Sequence, residues 1–142
     1  MKGPVKSLEV TYLVHATEDP EKLARAVGKV FSNSPLEVEE MEGHYGNAIA
    51  RVRMHVTGDE AQRAFRRMVS GLGSDERAVL LGSLGAHLDE HRALFVRFDK
   101  QGLTSGVLRL GSADPVRVKV KPAPFLKGVD APAFYAKLFR EV

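Results

Sequence analysis

Two short stretches hold the residue types that acid–base chemistry uses. "HATEDP" (15–20) groups His15, Thr17, Glu18 and Asp19, and "EGHYGN" (42–47) carries His44 and Tyr45 between glycines. An imidazole beside a carboxylate is a general acid–base pair, and His15 with His44 would suit phosphodiester cleavage. The first stretch is also what a capped helix start requires. Asp19 can accept from free N–H groups, Pro20 fits the first helical position, and acids suit the positive helix end. The cap is the reading adopted. In the second stretch Gly43, Gly46 and Asn47 permit a tight turn. That leaves His44 and Tyr45 to be explained, as a buried hydroxyl with a partner or as an exposed pair.

"HLDEH" (87–91) sets His87 and His91 four apart, the spacing of a helical metal pair. The zinc-protease pattern needs Glu directly after the first His, and Leu88 stands there. A polar, fraying helix end is expected instead of a metal site. The chain has no cysteine, which excludes thiol catalysis, thiolate metal sites and disulfides. It shows no phosphate-binding loop, dinucleotide fingerprint or serine elbow. No cofactor and no metal are expected, and the pattern argues against an enzyme.

The stronger signal is alternation. If Val52, Met54 and Val56 face a core, Arg51, Arg53 and His55 point away, because successive strand residues face opposite sides. The same parity turns Phe95 and Arg97 away from Leu94, Val96 and Phe98. It turns Val107 and Arg109 away from Leu108 and Leu110, and Arg117, Lys119 and Lys121 away from Val116, Val118 and Val120. Residues 92–127 hold eight Lys/Arg against Asp99 and Asp114 alone, while residues 1–47 hold five against eight acids. If these strands share one sheet, its free face is basic and carries an aromatic ring. Such a face suits RNA: cations neutralise phosphates and a ring stacks on a base. A solvated sheet face, or one docked on an acidic protein or a second copy, gives the same pattern.

The elements that would position these residues follow from periodicity. Strands are expected at 7–14, 36–42, 48–56, 93–99, 106–111 and 115–122. Helices are expected from Pro20, from Gly58 to about Val69, from a Ser74 cap, and over 130–140 with Phe134, Leu138 and Phe139 packed. The order is β-α-β-β-α-α-β-β-β-α: an α+β class, a mostly antiparallel sheet with helices on one face. At 142 residues one domain, 1–142, is expected. No apolar run suits a signal peptide or a membrane span, so a cytoplasmic protein without membrane association is expected.

"VHATEDPEKL" (14–23), "EGHYGNAI" (42–49) and "LFVRFDKQ" (94–101) together resemble a small family of archaeal RNA-binding proteins predicted to be exosome subunits. The resemblance implies a fold similar to a large-subunit ribosomal protein, RNA binding, and an association with RNA processing or degradation, without known catalysis. By motif position it falls on His15, Thr17, Glu18 and Asp19, on Gly43 to Asn47, and on Arg97, Asp99, Lys100 and Gln101. Ala48 stands where proline is expected. Gly102, Leu103 and Thr104 stand where two alanines and a tyrosine are expected, which removes a ring from that corner.

The expectation is therefore a non-catalytic RNA-binding protein, an accessory subunit with RNA and exosome subunits as partners and a homodimer as an option. Arg51, Arg53, Arg97, Lys100, Arg109, Arg117, Lys119 and Lys121 would meet phosphates. Phe95, Tyr45 and Gln101 would meet bases, and His44 with Tyr45 would support the neighbouring Asp99-Lys100-Gln101 corner. The alternatives are an interaction subunit using the same face, and a nuclease built on His15 and His44.

Overall fold

The computed structural model describes residues 3–43, 46–123 and 130–142. Five strands form one antiparallel sheet: β1 (Val5–His15), β2 (Leu36–Glu42), β3 (Ala48–Thr57), β4 (Leu94–Phe98) and β5 (Val116–Pro122), in the order β2-β3-β1-β5-β4. Strict alternation makes these segments strands. In β1, Leu8, Val10, Tyr12 and Val14 are buried, while Glu9, Thr11 and Leu13 stay partly open. The inward rows of β3, β4 and β5 join them in one hydrophobic cluster.

The helices supply the other half of that cluster. In α1 (Pro20–Val30), Asp19 accepts from the N–H groups of Glu21 and Lys22, at 3.0 and 3.3 Å, and Leu23 and Val27 are buried. In α2 (Gly58–Gly71), Ala61, Ala64, Phe65, Met68 and Val69 form the buried stripe. Gly58 opens that helix at φ 66°, a left-handed backbone that β-branched residues avoid. The last helix, α5 (Ala131–Arg140), is capped by Asp130. Leu138 and Phe139 are buried as expected, and Tyr135 joins them; Tyr135 donates to the Arg92 carbonyl at 2.7 Å, and burial holds its hydroxyl protonated far above the usual range. Phe134 is only partly buried, against the Tyr135 ring.

Three expectations about elements need correcting. The strand expected at 106–111 is absent; Leu108 and Leu110 form only isolated bridges, to Leu72 and Phe98. Ahead of it lies an unforeseen short helix, α4 (Lys100–Thr104), capped by Asp99, whose carboxylate accepts from Gly102 N–H at 3.1 Å. Gly106, at φ 80°, then reverses the chain, and Val107 N–H closes the turn on the Gly102 carbonyl. In α3 (Ser74–Gly82), Gly73 occupies the cap position and Ser74 is the first helical residue, with no side-chain cap bond. That helix ends at Gly82 and a single 3-10 turn, Leu84–His87, follows, so His87 and His91 share no helix face. The described helices include none long and apolar enough to cross a membrane.

Candidate nucleic-acid interface

Because the buried faces of the helices all meet the inward rows, the outward rows of the sheet are open. Strand register fixes their arrangement. One row crosses all five strands as Glu37, Arg53, Thr11, Arg117 and Arg97. The neighbouring row runs His55, Glu9, Lys119 and Phe95. The cations expected to share a face do share one, drawn from β3, β5 and β4.

They are not equivalent. On the β2–β3 side Arg51 is bound to Glu39 at 2.9 Å, and Arg53 lies 3.6 Å from Glu9. Glu9 also stands 3.7 Å from His55, so the one acid on this stretch of β1 leans toward β3. On the β5–β4 side Arg97, Arg117, Lys119 and Lys121 have no ion-pair partner among the described residues. Arg117 and Arg97 sit directly opposite each other in the register. Like charges so placed destabilise a sheet unless an anion lies between them. Phe95 relieves part of this, with the Arg117 guanidinium 5.3 Å and the Lys119 ammonium 5.4 Å from its ring centre. The result is a cationic strip around one aromatic ring.

The remaining expected contacts divide. Arg109 is exposed at the β4 margin, next to Leu110, which bridges Phe98; the Arg109 carbonyl accepts from Asp99 N–H. Gln101 is exposed on α4. His44 and Tyr45 lie outside the described residues, so their support of the Asp99–Gln101 corner does too. Gly43 N–H donates to the Asn47 carbonyl at 2.7 Å, and Gly46 has φ 77°.

Lys100 is the correction. It was expected to meet phosphate, but it is only 4% exposed. Its ammonium donates to the Leu13 carbonyl at 2.6 Å, to Asp114 at 2.6 Å and to Glu18 at 3.1 Å. All three of its protons are thereby used inside the protein. Glu18 also accepts from His15 N–H at 2.9 Å, and the His15 ring lies 3.0 Å from Asp114. The end of β1, the start of α1, α4 and the Asp114 turn are thus tied together through one lysine. His15, Glu18 and Asp114 bring ligand-type atoms within 4.8 Å of one another, as a metal site would. Here the ammonium already supplies the positive charge that such a set requires.

Two residues of this geometry were missed. Asp114 has φ 47°, a left-handed conformation, and its carboxylate accepts from Lys100. Glu9 was legible as an outward residue of β1, yet its effect on Arg53 depends on which strand lies beside β1. Away from the sheet, Ser32 and Arg63 hydrogen bonds hold the Glu60 carboxylate down to about 2, with Arg67 adding to them.

A sheet with helices on one side and cations with an aromatic on the other is an arrangement that sheet-based RNA-recognition modules also use. Comparison with known proteins agrees. Residues 7–122 match the model of a family described as RNA binding. An RNA-binding protein of Pyrococcus abyssi is 34% identical over 131 residues, covering 85% of each chain. Two solved structures, a protein from Archaeglobus fulgidus and a DUF54 protein from Methanothermobacter thermautotrophicus, are each 26% identical with a TM-score of 0.79. They cover 94% and 96% of this chain, and 99% of their own. The chain belongs to this RNA-binding family.

Proposed function

We propose that this chain is a non-catalytic RNA-binding protein, acting as one domain over residues 1–142, that holds RNA on the β4–β5 half of its open sheet face. The observation that carries this reading is the strip Arg97, Arg117, Lys119 and Lys121 around Phe95, without an ion-pair partner among the described residues. Arg117, Lys119 and Lys121 recur at every second residue of β5, so one strand offers a line of phosphate sites. Phe95 offers a stacking surface beside that line. Arg109 extends the positive margin beyond β4, and Gln101 stands exposed on α4 for a base edge. Arg51 and Arg53 contribute less, being already bound to carboxylates.

A salt series on single-stranded RNA tests this. About four neutralised phosphates give a log–log slope near −3, at roughly −0.7 per phosphate on a single strand. A flat slope overturns the reading. Labelled RNA should also stay intact with and without magnesium; cleavage that disappears in His15→Ala would replace the non-catalytic reading with the nuclease one. An accessory place in RNA processing or degradation beside an exosome extends the same reading and rests on the three-motif resemblance. Co-sedimentation with purified exosome subunits after ribonuclease treatment checks it, and loss of association on RNA removal counts against it.

A further inference from the structure

The sheet has two edges, and they are treated differently. The β4 edge is partly occupied by the Leu108–Leu110 stretch, through the Leu110–Phe98 bridge, whose two hydrogen bonds run from Asp99 N–H to the Arg109 carbonyl and from Gly111 N–H to the Arg97 carbonyl. The β2 edge has no strand beyond it among the described residues. All seven residues of β2 are exposed. Leu36, Val38 and Met41 are 37%, 62% and 38% exposed, half of the exposed large apolar side chains among the described residues. Val38 faces Val52 across the register, on the helix side of the sheet, yet the helices reach Val52 and stop short of Val38.

An open edge with a free row of backbone groups is a template for a further strand. Its side chains say which kind. β2 carries Glu37, Glu39, Glu40 and Glu42, and among the described residues only Glu39 has an ion-pair partner. A second copy is a poor occupant. An antiparallel β2–β2 pairing centred on the strand would set Glu39 against Glu39, and like charges directly opposite destabilise a sheet. RNA is repelled by the same glutamates. We infer that the β2 edge receives an extended lysine- or arginine-bearing segment of a partner protein by strand addition, its cations beside Glu37 and Glu39 on the open face and its apolar residues beside Leu36 and Val38 on the helix face. The proposal stands independently of where RNA sits, since β2 lies at the opposite end of the sheet from β4.

The test uses the full chain and two end-blocked nine-residue peptides, one alternating lysine and valine, the other alternating glutamate and valine. Fluorescence anisotropy should show the lysine peptide binding at least about tenfold more tightly, as attraction on one side and repulsion on the other dictate. Hydrogen exchange should show amides of residues 36–42 becoming protected when it binds. The double variant Glu37→Lys with Glu39→Lys should lose about tenfold in affinity. The milder Glu37→Gln with Glu39→Gln, which keeps side-chain shape, should lose less. Equal binding of both peptides overturns the proposal, and so does binding without protection of residues 36–42. Protection of these amides in the protein alone, with a dimer by light scattering, would show the edge filled by a second copy and would also overturn it.

Discussion

The two halves of the open face are built from the same alternation and end up electrostatically opposite. On β3 each arginine has a carboxylate from the neighbouring strand: Glu39 of β2 for Arg51, Glu9 of β1 for Arg53. On β5 and β4 the outward side chains are four cations and a phenylalanine, and two of the cations lie against its ring. A cation already paired must break that pair to meet a phosphate, so its gain on binding is small. A cation crowded by like charges gains both the new contact and relief from repulsion. Equal numbers of arginines therefore do not mean equal binding. The half that looks poorer in the folded protein is the half we propose for a polyanion.

The largest effect we expect concerns a lysine that belongs to neither half. Lys100→Ala leaves Glu18 and Asp114 facing each other without their ammonium and should destabilise the fold by about 3 kcal/mol, the low end for a broken buried pair because Asp114 still reaches water. Urea unfolding measures this. If stability holds and only RNA affinity falls, Lys100 is a phosphate contact after all. Next comes the strip itself. Replacing Arg97, Arg117 and Lys119 together by alanine should weaken single-stranded RNA binding about 30-fold at moderate salt, roughly 2 kcal/mol, and flatten the salt slope by about 2. The loss should be similar for unrelated sequences, since phosphate contacts position and do not specify.

Phe95→Ala should lose about 1–2 kcal/mol of affinity while leaving the salt slope unchanged, because stacking releases no counterions. A changed slope would mean that the ring serves mainly to hold Arg117 and Lys119. Arg51→Ala and Arg53→Ala should each cost less than about 0.5 kcal/mol, and Glu39→Gln should raise affinity slightly by freeing Arg51. Losses as large as those from the β4–β5 strip would abolish the distinction between the halves. A further stability effect lies remote from both. Glu60, held down to about 2 by Ser32, Arg63 and Arg67, stabilises the fold above the ordinary glutamate range and loses that contribution as pH falls toward 2. Glu60→Gln should cost up to about 1 kcal/mol near neutral pH, a gap that thermal melts should see close between roughly pH 4.5 and 2.

Much of the fold was legible because period two and period 3.6 are written directly into the chain. The row Val52, Met54, Val56 requires Arg51, Arg53 and His55 on the other side whatever the strand pairs with. Asp19-Pro20 announces a helix start by its own chemistry. The 106–111 segment misled because Leu108 and Leu110 alternate as a strand does. The turn closed by Gly102 and Gly106 leaves it too short to form more than single bridges. Lys100 misled for a different reason. A lysine at a polar corner reads as a surface cation until Leu13, Glu18 and Asp114, from 87, 82 and 14 residues away, are seen to converge on it. The motifs that carry the resemblance, around His15 and around Lys100, turn out to bind each other.

Local periodicity by itself determined which side chains share a face within each ribbon, since parity needs no knowledge of neighbours. The adjacency of ribbons was a tertiary decision. It set Glu9 beside Arg53, Glu39 beside Arg51, and Arg97 beside Arg117. Charge acts over a few ångströms of space, and no alternation along a single strand encodes which carboxylate will stand across from it.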